Sequence, residues 1–562
     1  MTRATLLLTT LCLSVGCRPD EDGDGVLAHE DCDDNNPKAW NGARDLVRGS
    51  VSENYKDFCG DRCARDLKGD LDLSHATPHD VASLYCLSSV GGNLFLFNNT
   101  GLKSLAGLDA LSSVGGKLVF SDNTALESLA GLDSLTTVGG DIDLGYNQEL
   151  RSLTGLEALS SVGGALHIID NDRLTSIASL SSLNTVGELR IDHNDRLSSL
   201  TGLGALTVVV GHLFIEENGS LLSLAGLSGL SSVGEGLFIR NNDSLTTLAG
   251  LDALSSLAGP LDIMDNDGLT SLVGLDALSF VGEYLMIRDN DQLLSLAGLD
   301  ALTSVGESAQ VYNNAELVSL TGLGALSSVG YTLLIGENPE LTSLAGLDAL
   351  SSVGGLSIFT NPKLTSLAGL DSISSLDEAL YISDNAKLVS LTGLDALSTV
   401  VSDVSIAGNA ALPSLTGLGS LSYVGGELWV SDNAAMSSLA GLDALTSVRL
   451  NVAITSSDAL LSLDGLGALS SVGRILWIEG NASLTSLDGL DTLSSVGDDL
   501  RIGSNTSLLS LDGLGALSSV GGDVSVNDNE ALCADEADEL CAQLGAGLGG
   551  SCAQSGNHGV CP

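Results

Sequence analysis

The sequence predicts a mainly β chain wound as a solenoid of about nineteen 24-residue turns, closed by disulfide-stapled caps. Three observations predict it. The phrase SLAGLDALSSVGG at 104–116 returns letter for letter at 343–355, with near-copies between. The composition is biased, with 68 Gly, 8 Pro and 3 % aromatics, yet 44 % of the residues are apolar, which is too many for disorder. One asparagine marks each repeat, from Asn99, Asn123 and Asn147 to Asn481, Asn505 and Asn529. The steps are 24 residues with two of 23, and the series is broken once by Ser457.

The working repeat is L-x-S-L-x-G-L-x-A-L-S-S-V-G-G-x-L-x-I-x-x-N-x-x. Its L-x-I alternates with period two and predicts a short strand with Leu and Ile on one side. The asparagine follows where the chain must turn, and its amide can bond inward-facing backbone groups, so stacked copies form a ladder. Ser457 has a shorter reach and predicts a weaker turn. Gly-Gly before the strand marks a corner where bulky residues or negative φ do not fit. The leucines of SLAGLDALSSV recur every two to three positions, which suits a coil around a narrow core. A turn buries about six apolar side chains, at roughly 1.5–3 kcal/mol each. Ordering its backbone costs roughly 1–2 kcal/mol per residue, so single turns are unstable and only stacking closes the gap.

The ends differ from the middle. Met1 to Gly16 reads as an export signal, with Arg3 and an apolar run over Ala4–Val15 too short to span a bilayer. Ser14-Val15-Gly16-Cys17 resembles the bacterial lipobox, with Leu13 one place upstream of the usual leucine. The resemblance implies a lipidated Cys17 and outer-membrane or cell-surface placement. Ordinary cleavage near Gly16, giving a secreted protein, is the alternative. Residues 17–50 form an acidic tether, 51–93 an N-terminal cap, 94–532 the solenoid and 533–562 a Cys-rich C-terminal cap. Thr77-Pro78-His79-Asp80 predicts a helix start, with Thr as the cap and Pro in the first position. ALCADEADELCAQLGAG predicts a helix from about Ala534 to Leu544. Eight cysteines lie at the ends: Cys32, Cys59, Cys63, Cys86, Cys533, Cys541, Cys552 and Cys561. In an exported chain they read as disulfides of undetermined connectivity.

SLAGLDALSSVGGKLVFSDNTALESL resembles the receptor L-domain repeats, which implies a leucine-rich-repeat-like, right-handed β-solenoid over roughly residues 67–545. Such domains occur in receptor ectodomains, fungal wall proteins and bacterial surface lipoproteins, so the resemblance implies a binding or envelope scaffold. It carries over no receptor-type hormone site.

Net charge is −49, which excludes nucleic acid as a partner and favours cations. In DEDGDGVLAHEDCDDNNP, residues 20–37, Asp20, Asp22 and Asp24 take positions 1, 3 and 5 of a calcium-type loop. Gly25 takes the turn, the Val26 carbonyl the seventh position, and Asp31 the twelfth, where a longer Glu is usual. The stretch resembles the DxDGDG…DCDD metal motif of exported bacterial proteins and implies Ca2+. An acidic, solvated tether is the alternative.

The outward strand positions concentrate aromatics: Phe95, Phe97, Phe214, Phe238, Tyr312, Phe359, Tyr381, Trp429 and Trp477. Arg190, Arg240, Arg288 and Arg501 share the face. Exposed aromatics and arginines are what binding surfaces use, although aromatics also fill strands well. Asp252, Asp276 and Asp300, with Asp348, Asp371 and Asp395, read as turn formers. His167, His193 and His212 sit at unlike offsets from the local asparagine, so they do not predict a common metal. No G-x-S-x-G, H-E-x-x-H or P-loop is present. The leading expectation is a non-catalytic lipoprotein presenting the solenoid for protein or glycan recognition and adhesion. The alternatives are an envelope spacer without a ligand and a β-helix carbohydrate-active enzyme.

Overall fold

The computed structural model describes residues 45–53, 55, 58–59 and 64–561. They form a β-solenoid of about 21 turns of about 24 residues, 28 % strand and 6 % helix. The described residues divide into two compact units, 45–245 with 249–254, and 246–248 with 255–561.

Within each unit the L-x-I segments pair in parallel with their counterparts one turn away. Leu213-Phe214-Ile215 lies on Leu237-Phe238-Ile239, and Leu428-Trp429-Val430 on Val452-Ala453-Ile454. The Ser-Val pairs form a second parallel ladder, as at Ser113–Thr137 and Ser447–Ser471. A third runs past the asparagine corner, where Glu127 N donates to Lys103 O and Arg151 N to Glu127 O. Three ladders per turn explain the leucine spacing, because each short extended piece sends alternate residues inward. The turn from Leu126 to Leu144 buries seven apolar residues: Leu126, Leu129, Leu132, Leu135, Val138, Ile142 and Leu144. The core is therefore a continuous seam to which every turn adds one layer.

The asparagines point inward and are buried. Asn123 Nδ2 donates to the Leu96 carbonyl of the preceding turn at 2.9 Å, and its backbone N–H donates to Asn147 Oδ1 at 3.1 Å. The pattern recurs along both units, so most of these amides cover a carbonyl on one side and an N–H on the other, while Asn99 Nδ2 and Oδ1 and Asn194 Oδ1 are buried without a partner. The Ser457 side chain makes a long bond, from Oγ to the Thr455 carbonyl at 3.3 Å.

Turning is achieved differently from the sequence expectation. Gly115 and Gly139 in the Gly-Gly corners do not have positive φ. Their role is close approach: a Cβ on Gly139 would overlap the Gly115 carbonyl oxygen. The left-handed conformation falls at two other places. One is the glycine of S-L-x-G-L, with φ +111° at Gly131 and +112° at Gly298. The other is the residue just before the asparagine, at φ 51–58° from Asn98 to Asp528 wherever it is not glycine. Asp and Asn are frequent there because they tolerate that region best.

Two further turns extend the predicted nineteen. At the start, Leu71-Asp72 pairs with Leu94-Phe95, and Ala76 stands in the asparagine place. Ahead of it Asp45–Val47 pairs with Arg65–Leu67, so the ladder begins before the cap boundary expected at 51. Helix α1, Pro78–Ala82, starts as predicted. Thr77 caps it, and Asp80 returns a bond to the Thr77 N–H at 2.9 Å, closing a capping box. At the other end, helix α2 spans Ala534–Leu544 and buries Ala537, Leu540 and Leu544. It is an insertion within a longer turn, because Cys552–Ser555 then pairs with Val524–Asn527 and Asn557 continues the asparagine ladder. The pattern C-A-Q-S-G-N at 552–557 carried that signal, with Cys and Gln replacing the usual Leu and Ile.

Disulfides close both ends: Cys59–Cys86 at the start, Cys533–Cys561 and Cys541–Cys552 at the finish. Cys32 and Cys63 lie outside the described residues, as do Cys17 and the expected calcium set of Asp20, Asp22, Asp24, Val26 and Asp31.

Candidate functional site

The outward positions of the L-x-I strands hold the candidate ligand-binding residues, and the fold sorts them into separate groups. Phe95 and Phe97 stack with each other at 5.7 Å within one turn. Phe214 and Phe238, in register on neighbouring turns, stack at 4.8 Å with 14° between their planes. Arg190 covers Phe214 at 5.1 Å and Arg240 covers Phe238 at 4.8 Å, while His212 touches both rings.

This first-unit cluster satisfies itself. Arg190 bonds Asp192 Oδ2 and Glu216 Oε2, each at 2.8 Å, and Arg240 bonds Glu216 Oε1 at 3.3 Å. Asp192 and Glu216 are buried. The exposure expected of Phe238 is not observed: the ring is 8 % exposed, because Phe214, Arg240 and His212 close over it. The guanidinium of Arg240 is committed to Glu216 and to Phe238. Likewise Arg288, in the second unit, is spent on Asp289 at 2.6 Å and on the Tyr312 ring at 5.8 Å. Arginines beside acids and rings on a strand face fold back onto them, since intramolecular partners cost no association entropy.

The histidines do not converge. His167 meets Glu188 at 3.3 Å and His212 meets Glu235 at 2.8 Å. His193 Nδ1 meets Asp192 at 2.6 Å and its Nε2 meets Glu217 at 2.5 Å. Burial acts to lower the His193 pKa, but the hydrogen bond and charge of Asp192, with Glu217 and Asp170, outweigh it and leave the pKa raised. With both ring nitrogens engaged by carboxylates, His193 bridges two turns, and these contacts favour its protonated form. Cys533, Cys561 and Asp535 also lie together, but the two sulfurs form a disulfide.

The corner aspartates are turn formers, as the sequence indicates. Asp252, Asp276 and Asp300 each accept the N–H of the glycine two residues earlier at 2.9–3.0 Å. Asp348, Asp371 and Asp395 do the same at 3.0–3.3 Å.

The second unit presents its rings differently. Phe359 lies over Gly336, where a Cβ would overlap the ring. Tyr381 is 43 % exposed. Its phenol pKa is raised by partial burial and by the nearby charges of Asp403 and Glu427. Trp429 and Trp477 are two turns apart, yet their rings meet edge to face at 5.9 Å and 86°. They do so across Ala453, the residue in register between them, which is 2 % exposed beneath the indoles. Trp477 Nε1 donates to Glu479. Glu427 accepts from Asn451 Nδ2 at 2.7 Å. A small residue at 453 is what lets two large rings reach each other, a condition the repeat consensus does not reveal.

One feature escaped the sequence reading. In the first unit the Ser-Val-Gly corners line an open groove of about 430 Å³ that runs across turns from Ser89 to Thr185.

Compared with protein-family models and with curated proteins, the chain matches none.

Proposed function

We propose that this chain is a non-catalytic, surface-anchored scaffold whose second unit presents a recognition face for a protein or glycan ligand. The observation that carries the reading is the Trp429–Trp477 pair. Two indoles stand outward on a ladder where Ser405 and Ala453, the residues in register with Trp429, are small. A spacer needs only such small residues there. Trp429 and Trp477 are half-buried, and large, rigid aromatics on an outward face are the residues that dominate binding energetics. In this reading Cys17 supplies the lipid anchor at the outer membrane or cell surface. Asp20, Asp22, Asp24, the Val26 carbonyl and Asp31 bind Ca2+ and stiffen the tether between anchor and solenoid.

The spacer reading has one observation in its favour: the Phe214–Phe238 cluster is closed by its own arginines. The chain lacking its leader, probed on an array of glycans and surface proteins, separates the two. Trp429→Ala and Trp477→Ala abolish the captured ligand if the face recognises it. Capture that survives both substitutions overturns the proposal.

A further inference from the structure

Three of the strand-face rings come with a cation from their own chain. Arg190 serves Phe214, Arg240 serves Phe238 and Arg288 serves Tyr312, at 5.1, 4.8 and 5.8 Å. Trp429 and Trp477 depart from this. The position two residues beyond the ring, arginine at Phe238, is glutamate at Trp477 and serine at Trp429. Glu479 and Glu427, each two residues along the chain from one of the tryptophans, are held by neutral donors, Trp477 Nε1 and Asn451 Nδ2. Among the described residues neither forms an ion pair with a lysine, arginine or histidine. Arg501 is in register with Trp477 but is turned to Asp499 Oδ2 at 2.8 Å. Asp403 adds a third negative charge close by, its Oδ1 accepting the Glu427 N–H at 2.7 Å. The result is two perpendicular π faces with a rim of carboxylates.

Resting on the recognition reading above, we propose that the Trp429–Trp477 corner binds a quaternary ammonium group of the choline type. Tryptophan offers the strongest π face for a cation. A quaternary ammonium is weakly hydrated, so it leaves water readily, and it needs no hydrogen-bond acceptor. Glu479 and Glu427 therefore serve it through charge while keeping their bonds to Trp477 Nε1 and Asn451 Nδ2. A chain of net charge −49 also concentrates cations around it.

The test uses the full chain with Trp40→Phe, so that Trp429 and Trp477 are its remaining tryptophans. Choline chloride is titrated against tryptophan fluorescence, with sodium chloride as the ionic-strength control. The expected result is saturable quenching in the millimolar range. The neutral isostere 3,3-dimethylbutan-1-ol should bind at least about fivefold more weakly. Glu479→Gln keeps an acceptor for Trp477 Nε1 but removes the charge. It should weaken choline roughly three- to tenfold with an unchanged circular dichroism spectrum. Phosphatidylcholine vesicles, with phosphatidylethanolamine as control, distinguish the source. Flotation assigns a lipid headgroup, and choline saturation without flotation assigns a soluble amine; either supports the proposal. Equal response to the isostere, no response to choline, or full affinity in Glu479→Gln overturns it. If choline fails while Trp429→Ala still loses the array ligand, recognition stands and the ligand class is different.

Discussion

Asn409 Oδ1 accepts the backbone N–H of Asn385 at 3.2 Å, one whole turn away. Its Nδ2 donates back to the Ile382 carbonyl at 2.9 Å and to the Ala407 carbonyl at 3.0 Å. One buried amide thus serves groups on two turns. Asn409→Ala strands those groups without water and should cost about 2–4 kcal/mol. Ser457→Asn supplies the missing rung and should add about 1 kcal/mol. Urea unfolding of the two variants against the parent checks both signs.

Gly298 and Gly324 look alike in the repeat text, but only the first is confined. Gly298 has φ +112°, and a Cβ would overlap the Leu272 carbonyl oxygen, whereas nothing lies within 4 Å of a Cβ on Gly324. Gly298→Ala should destabilise by about 2 kcal/mol or more. Gly324→Ala should stay within about 0.5 kcal/mol of the parent. Thermal melts of the pair read the difference, and equal melts would show that the turn relaxes freely.

His193 links stability to pH. Its folded pKa lies above the ordinary 6.5, held there by Asp192 and Glu217 against the opposing effect of burial. A raised pKa means the folded state holds the proton more tightly. Its stabilising effect is therefore complete below pH 6.5 and disappears as pH climbs through the folded pKa. The gap in melting temperature between the parent and His193→Gln should be widest near about pH 6 and close by about pH 9. A gap that is flat across that range would show that His193 does not titrate.

The finishing cap depends on covalent closure. Cys541–Cys552 ties helix α2 to the last strand, which pairs on one side with Val524–Asn527. Replacing both cysteines by alanine should cost about 2–4 kcal/mol. Fluorescent apolar dyes should bind as Leu540 and Leu544 come away from the last core layer, and unchanged dye binding would mean that the helix holds without the bridge.

Much of this was legible in the letters. The asparagine register located nineteen of the turns, and Thr77-Pro78 and Ala534–Leu544 placed both α-helices of the described residues. The final turn was hidden because Cys552 and Gln554 stand where Leu and Ile are usual. The turn at Leu71–Ala76 read only as part of the cap because Ala76 replaces the asparagine. The face residues were identified as outward, but whether a ring stays available depends on its neighbours one and two turns away. Phe238 and Trp477 occupy equivalent strand positions, one under an arginine and the other beside a glutamate.

The sequence by itself determined the period, the inward leucine seam and the buried amide at each corner, because a repeated local pattern can satisfy its hydrophobic and backbone needs in only one stacked way. Tertiary structure alone decided which glycines turn the chain and which admit a neighbour. It alone decided also that Trp429 reaches Trp477 across Ala453. Those outcomes depend on distances between residues 24 to 48 positions apart, which stacking sets and no local window contains.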